Sequence, residues 1–273
     1  MWVSMLYLSA LSRRPEHRPD TDVFPWSVPL IRGLEALEFT TPVTFLVGEN
    51  GSGKSTLLEG IAMGMGAVAA GRYDLSRDPT LNAARALAAG YIFARRRHAR
   101  TRLFVRAEDV FGFTQRVADS MAGLDQDVAE LDAAMADGYG KTLAIGAVSG
   151  QRSALARDYG TNPDGKSHGE TFLSVLGRRL VPNGLYFLDE PETPLSPSRV
   201  LALMALVADR VNKGCQFIIA THSPMLMALP GATILLAEDG QLRPVEWNAL
   251  EHVRVTRAFL ADPASMLRKV LAP

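Results

Sequence analysis

From position 48 the chain reads Gly48-Glu49-Asn50-Gly51-Ser52-Gly53-Lys54-Ser55, which is the G-x-x-x-x-G-K-S pattern of a phosphate-binding P-loop. An apolar, β-branched run over 43–47 precedes the pattern and predicts a buried strand. The apolar spacing over 56–62 predicts a helix after it. A strand, a glycine loop and a helix in this order are the context that the motif requires, and a chance glycine turn would not need that context.

The residue types in this loop explain how it would hold a nucleotide. Glycines allow the backbone to turn tightly, so that its N–H groups point at phosphate oxygens near the positive end of the helix dipole. Lys54 can reach the β- and γ-phosphates, and the Ser55 hydroxyl can ligate Mg²⁺. We therefore predict ATP and Mg²⁺ as ligands. The predicted nucleotide-binding residues are Gly48, Glu49, Asn50, Gly51, Ser52, Gly53, Lys54, Ser55 and Thr56.

A second apolar run, Tyr186-Phe187-Leu188, ends in the carboxylates Asp189 and Glu190, which is the Walker B pattern. We predict that Asp189 holds Mg²⁺, directly or through water, and that Glu190 is the general base that polarises the attacking water. Adjacent residues of a strand point to opposite faces, so the two carboxylates have different roles. The alternative is an ordinary strand exit with two solvated acids.

A third apolar run, over 217–220, is followed by Thr221 and His222. A neutral imidazole at that position can hydrogen-bond the γ-phosphate or orient the attacking water. One strand–helix–strand unit separates Asp189 from His222, which places both at the carboxyl edge of a parallel sheet, where open α/β sheets bind ligands. We therefore predict that His222 is catalytic, the alternative being a structural histidine.

The segment Ser167-His168-Gly169-Glu170 begins another predicted helix and fits a capping box, with Ser167 as the N-cap and Glu170 at N3. Helix capping alone would explain it. The functional interpretation is a second phosphate-binding helix end, formed by Ser167 and Gly169, in which the glycine permits close approach.

Composition limits the remaining classes of function. The chain has 273 residues, 47% of them hydrophobic, which suits one large domain or two small ones. The formal net charge is zero, so whole-chain charge does not indicate nucleic acid or anionic lipid as a partner, although a basic run over 95–102 leaves nucleic acid open. The single Cys215 rules out an internal disulfide and suits the cytoplasm. No apolar run of membrane-spanning length and no signal peptide is predicted.

Strands alternate with helices along the chain, which predicts an α/β fold around a mainly parallel sheet. We expect an N-terminal strand over 2–9, further strands over 34–39 and 103–106, and a hairpin through Asp239-Gly240. One or two helices are expected over 108–137, with a break near Gly123, and irregular structure over 138–165. We predict a single domain over 1–273, with a helical lobe over 71–165 that lacks strands apart from 103–106.

The chain resembles the small bacterial stand-alone ATPases of the AAA family, within the ABC-type ATPase superfamily. The strings that carry the resemblance are Val47 to Glu59, Arg106-Ala107-Glu108, Lys166 to Glu170, Leu188 to Glu192 and Ala220 to Pro224. The resemblance implies a P-loop NTPase head with a mainly parallel sheet, antiparallel N-terminal strands and a small helical lobe. It places Glu108 where transporter ATPases have the Q-loop glutamine, as a metal ligand, and Leu195-Ser196-Pro197 at the D-loop.

The resemblance also implies a mechanism. Two heads would meet head-to-tail as an ATP-dependent homodimer, with each nucleotide held between one P-loop and the partner's Ser167 helix end. The first functional hypothesis is a soluble ATP-driven switch in nucleic-acid maintenance or defence, with a client that the sequence does not identify. The alternatives are the nucleotide-binding subunit of a membrane transporter and a P-loop small-molecule kinase. Glu108 and the unusual signature argue against the transporter, and the Glu190/His222 pair argues against the kinase.

Overall fold

The computed structural model describes residues 6–69, 82–159 and 168–271. The strands in these ranges are β1 (Leu8–Arg13), β2 (Ala36–Glu38), β3 (Val43–Gly48), β4 (Val68–Ala69), β5 (Tyr91–Arg95), β6 (Thr101–Arg106), β7 (Gly184–Asp189), β8 (Gln216–Ala220), β9 (Thr233–Glu238) and β10 (Gln241–Pro244). The α-helices are α1 (Pro29–Gly33), α2 (Lys54–Gly64), α3 (Asn82–Gly90), α4 (Ala107–Ala134), α5 (Tyr139–Tyr159), α6 (His168–Arg179), α7 (Pro197–Asn212), α8 (Glu251–Ala261) and α9 (Pro263–Leu271).

The main sheet of the described residues has the strand order β10-β9-β3-β8-β7-β6-β4. The pairs from β9 through β3, β8, β7 and β6 to β4 are parallel, and β10 closes one edge as an antiparallel hairpin with β9. This arrangement confirms the predicted α/β fold with a mainly parallel sheet. The hairpin turns through Asp239 and Gly240, which both have positive φ, as expected for a tight hairpin turn.

The central strands are buried on both faces, which explains their continuous apolar runs. In β7, Leu185 and Phe187 pack into one core with α2, whereas Tyr186 and Leu188 pack into a second core with α6 and α7. Every residue of β7 and β8 is buried. The sheet therefore forms the middle of three layers, and its strands offer polar chemistry only where they end.

A second, antiparallel sheet has the order β2-β1-β5 and covers α2 on the side away from the main sheet. It confirms the predicted antiparallel N-terminal strands but changes their bounds. The first strand runs over Leu8–Arg13 rather than 2–9, and residues 2–5 of the prediction lie outside the described ranges. The strand extends to Arg13, which pairs with Tyr91 of β5, and the Arg13 guanidinium donates to the carbonyl oxygens of Ile31 and Leu34 at the end of α1.

Helices α4 and α5 form an antiparallel hairpin that corrects two predictions. Helix α4 is continuous through Gly123, and the stretch expected to be irregular contains the 21-residue helix α5. Ion pairs join the two helices, with Lys141 Nζ 2.8 Å from Asp132 and Arg152 paired with Asp125. The predicted helical lobe over 71–165 also contains β5, a strand that the sequence analysis did not predict. The assignment of this range as a lobe stays a prediction. Among the described residues no helix is both long and apolar enough to cross a membrane.

Candidate functional site

Strands β3, β7 and β8 are adjacent in the sheet and parallel, so their carboxyl ends meet at one edge. Register places Leu46 opposite Ala220, and Ala220 opposite Asp189. The P-loop leaves β3, Glu190 follows β7 and His222 follows β8 at this same edge. The three motifs that the sequence singled out are therefore brought together by the sheet.

The P-loop backbone has the conformation that the glycine pattern predicts. Gly48, Gly51 and Gly53 all have positive φ. A Cβ on Gly48 would lie 2.5 Å from the carbonyl oxygen of Ala237, and one on Gly53 would lie 2.6 Å from Val28 Cγ1. The loop thus needs glycine both for its backbone conformation and for its neighbours. Because Gly53 is the N-cap of α2 and has no capping side chain, the first N–H groups of this helix stay available to an anion.

Lys54 is buried, and its contact with the nucleotide phosphates stays a prediction. Its Nζ donates to the carbonyl oxygens of Gly48 and Glu49, at 2.8 and 2.7 Å, and so lies folded under the loop. Burial lowers the pKa of Lys54, and the nearby carboxylates of Glu190 and Asp189 oppose that shift. The ammonium is therefore poorly hydrated and held within the loop that would surround the phosphates.

Ser55 and Asp189 are joined across the cleft between α2 and β7. The Ser55 hydroxyl donates to Asp189 Oδ1 at 2.9 Å, and the Asp189 side chain is almost fully buried. Burial raises the pKa of Asp189, while the Ser55 hydrogen bond and the positive charge of Arg106 oppose the rise. A cavity of about 210 Å³ opens beside the pair and is lined by Ser55, Arg106, Ala107, Asp189, Glu190 and Thr193.

This donor set fits Mg²⁺. The Ser55 hydroxyl and the Asp189 carboxylate lie together at the cavity, and Mg²⁺ binds in proteins through one or two such oxygens together with water and substrate phosphates. The described residues contain no cluster of three or more histidine, cysteine or acidic side chains that could hold a metal by themselves. A metal at Ser55 and Asp189 would take its remaining ligands from water and nucleotide phosphates.

Glu190 and His222 face each other at the strand ends. Glu190 Oε1 lies 3.5 Å from His222 Nε2, and both side chains are partly exposed. Glu190 has φ 46°, a left-handed conformation that is uncommon for a residue other than glycine and is concentrated at functional sites. His222 Nε2 has no hydrogen-bond partner among the described residues. The pair therefore presents a carboxylate and an imidazole nitrogen to the same space.

Glu192 also lies at this site, although it is not among the predicted site residues. Its Oε1 accepts hydrogen bonds from the Thr221 hydroxyl at 2.6 Å and from the backbone N–H groups of His222 and Ser223 at 2.8 and 3.1 Å. This carboxylate fastens the chain that follows β8 to the chain that follows β7. The position of His222 relative to Glu190 depends on it. The signal in the sequence was the Pro191-Glu192 pair directly after the Walker B acids.

Glu192→Ala is expected to lower the stability and the activity together. The variant removes an acceptor shared by three donors, so we expect a loss of about 1–3 kcal/mol in the free energy of unfolding by urea. Displacement of His222 should lower ATP turnover by on the order of tenfold to a hundredfold. Glu192→Gln, which keeps one acceptor oxygen, should recover most of both. Equal turnover in Glu192→Ala and the unmodified chain would contradict the positioning role.

The predicted second phosphate site is described only in part. Ser167 lies outside the described residues. Glu108, the predicted metal ligand, belongs to α4, but its side chain is not described. The roles predicted for these two residues remain predictions. Gly169 is buried in the first turn of α6, where a Cβ would lie 2.8 Å from the carbonyl oxygen of Pro194. Arg199 pairs with Glu170 at 2.6 Å. The start of α6 therefore packs against the segment assigned to the D-loop.

Comparisons with known proteins match two segments of the chain. A family model described as an AAA domain matches residues 27–100, which include the P-loop. A second, described as "AAA domain, putative AbiEii toxin, Type IV TA system", matches residues 171–228, which include the Walker B acids and His222. A comparison with curated proteins gave no match.

Solved structures with partial similarity are ATPase heads. They include an Smc head domain with an extended coiled coil bound to the C-terminal domain of ScpA from Pyrococcus furiosus, at 14% identity and TM-score 0.38, covering 83% of this chain and 94% of that one. The Smc head domain from Thermotoga maritima has 16% identity and TM-score 0.38, covering 88% and 100%. A nucleotide-free ATP-binding cassette from an ABC transporter has 18% identity and TM-score 0.43, covering 84% and 88%.

The two family models, both described as AAA domains, confirm the predicted resemblance to ATPases of the AAA family. Their two matched segments contain every predicted site residue except Glu108, Ser167 and Gly169. The sheet topology and these matches thus both support a P-loop ATPase fold.

Proposed function

We propose that this chain binds ATP with Mg²⁺, hydrolyses it, and uses the cycle to switch between separate chains and a head-to-tail homodimer. The observation that carries the proposal is the meeting of two pairs at one sheet edge. Ser55 Oγ lies 2.9 Å from Asp189 Oδ1, and Glu190 Oε1 lies 3.5 Å from His222 Nε2. The first pair suits a metal–nucleotide complex, and the second suits the activation of water.

Each residue has a separate task in this proposal. The P-loop N–H groups and Lys54 bind the phosphates, and Ser55 and Asp189 hold Mg²⁺. The metal would neutralise charge that develops on the transferred phosphoryl group. Glu190 accepts a proton from the attacking water, and His222 Nε2 orients that water or bonds the γ-phosphate. A water beside this carboxylate and imidazole attacks phosphorus, whereas a kinase would need space for a substrate hydroxyl.

The dimer is supported by the surface around α6. Gly169 lies so close to Pro194 that an added Cβ would be 2.8 Å from its carbonyl oxygen, so the start of α6 adjoins the D-loop segment. Ser196 is exposed beside them. In the resembling superfamily these two segments face the partner's nucleotide. A single chain would accordingly hold only half of each catalytic centre.

The rate of ATP turnover and the particle mass in solution, measured together, test the proposed dimerisation switch. We expect ATP turnover per chain to rise with protein concentration while the monomer predominates, because two chains complete each site. Glu190→Gln with Mg²⁺-ATP should shift the mass measured by light scattering toward the dimer, since the bound γ-phosphate cannot be released. Ser167→Arg should block that shift and leave ATP binding unchanged. Ser12→Arg, a matched change at an exposed position of β1, should not block it.

A monomer under all of these conditions, with constant turnover per chain, would defeat the switch but not the ATPase assignment.

For the biological process we propose nucleic-acid maintenance or defence. The description of the family model that matches residues 171–228 includes "putative AbiEii toxin, Type IV TA system", which favours defence. Mass spectrometry of proteins retained by the ATP-trapped Glu190→Gln chain, against the unmodified chain as control, would identify the client.

A further inference from the structure

Arg106 is a cation placed inside the predicted metal site. It is the last residue of β6 and lies opposite Asp189 in the parallel register with β7. Its Nε lies 3.3 Å from Asp189 Oδ2, and its terminal nitrogen pairs with Glu59 Oε1 on α2. One guanidinium is thus shared between the carboxylate that would bind Mg²⁺ and a second carboxylate nearby.

All three side chains are largely withdrawn from water. Asp189 is 6% exposed, Glu59 18% and Arg106 32%. Arg106 also lines the cavity of about 210 Å³ beside Ser55 and Asp189. Because solvent screens charges weakly in such a place, Arg106 and a metal ion at Asp189 would affect each other strongly.

Both oxygens of Asp189 already have partners. Oδ1 accepts from the Ser55 hydroxyl and Oδ2 accepts from Arg106. A divalent cation that takes Asp189 as a ligand must therefore share the carboxylate with a guanidinium of like charge. Glu59 provides a second acceptor for that guanidinium, so Arg106 can leave Asp189 without being left unpaired.

We propose that Arg106 sets the metal affinity of this site by competing with Mg²⁺ for Asp189, and that Glu59 holds Arg106 when the metal is bound. The proposal rests on the proposed function, because it takes Asp189 as a metal-binding residue. It makes Arg106 a specificity-determining residue: only a cation with enough charge density to displace the guanidinium occupies the site. The opposite role is that Arg106 merely orients Asp189 for the metal, and the two roles predict opposite effects of its removal.

The affinity for Mn²⁺ distinguishes the two roles of Arg106 and does not depend on hydrolysis. Free Mn²⁺ is measured by electron paramagnetic resonance while Mn²⁺ is titrated into the protein–ADP complex. We expect Arg106→Gln to bind Mn²⁺ about tenfold more tightly, because the competing charge has gone. Glu59→Gln should bind it several-fold more weakly, because Arg106 is then left to Asp189. Arg102→Gln, which alters an arginine of the same strand that donates to the Met65 carbonyl, should leave the affinity unchanged.

The double variant separates competition from simple loss of negative charge. If Glu59 acts through Arg106, Glu59→Gln should have little effect in an Arg106→Gln background, so the two changes are not additive. Weaker or unchanged Mn²⁺ binding by Arg106→Gln, or full additivity, overturns the proposal. Circular dichroism checks that each variant is folded. If Arg106→Gln is not folded, the Mn²⁺ affinities of Arg106→Lys and Glu59→Gln decide between the two roles of Arg106. Absence of Mn²⁺ binding by the unmodified ADP complex would instead defeat the proposed metal site itself.

Discussion

Glu190→Gln should abolish most ATP turnover while the chain keeps its affinity for ATP. The amide has the size of the carboxylate and still hydrogen-bonds, but it cannot accept a proton from the attacking water. A positioned general base contributes on the order of 10²–10⁴-fold, and we expect a loss of that size. Phosphate release measured at saturating Mg²⁺-ATP gives the turnover, and calorimetry with the same nucleotide gives the affinity.

Two comparisons make this expectation specific. Glu238→Gln, at an exposed carboxylate of β9 that pairs with Arg243, should leave turnover unchanged. The Glu190→Gln chain should also remain as stable as the unmodified one, since Glu190 is partly exposed and has no strong ion pair. Turnover within a few-fold of the unmodified chain would assign the base elsewhere, and Glu192, whose Oε2 is buried and has no hydrogen-bond partner in the part of the chain that the structure describes, would be examined next.

The sequence predicted the central sheet well because burial on both faces leaves an unambiguous pattern. Strands β3, β7 and β8 are short apolar runs bounded by polar residues, and each was expected within one or two residues of its observed bounds. Chain order then placed Asp189 and His222 at one edge, because strand–helix–strand units keep successive parallel strands in the same direction.

Helix α5 could not be predicted from local propensity. Gly140, Gly146 and Gly150 lie within it, and glycine lowers helix propensity by about 1 kcal/mol relative to alanine. The helix forms against α4, where Lys141 and Arg152 pair with acids of the neighbouring helix. A tertiary contact thus outweighs a composition typical of a loop.

Side-chain partners in the site were the least predictable part. Glu59 lies four residues after Ser55, which places both on one face of α2. Nothing in the sequence shows that Arg106, at the end of β6, reaches Glu59 on this helix. The three hydrogen bonds to Glu192 likewise depend on how two loops lie relative to each other. Such contacts are set by the packed fold rather than by spacing.

Lys54 is the other residue for which a large effect is expected, and its surroundings define the test. Its ammonium donates to two P-loop carbonyl oxygens, and burial lowers its pKa, so its charge is only partly compensated before nucleotide binds. Phosphate oxygens would supply the missing negative charge. We therefore expect the ammonium to contribute more to nucleotide binding than to the stability of the fold.

Lys54→Met keeps the length of the side chain and removes its charge. Charge-assisted hydrogen bonds contribute about 1.5–3 kcal/mol each, so the loss of those to the phosphates should weaken ATP binding by on the order of a hundredfold. The urea midpoint should stay close to that of the unmodified chain, because the freed carbonyl oxygens lie on a loop that water can reach. Lys213→Met, at an exposed lysine paired with Asp209, should change neither quantity. Equal ATP affinity of Lys54→Met and the unmodified chain by calorimetry would defeat the P-loop assignment, and a large fall in the urea midpoint would show that Lys54 stabilises the fold.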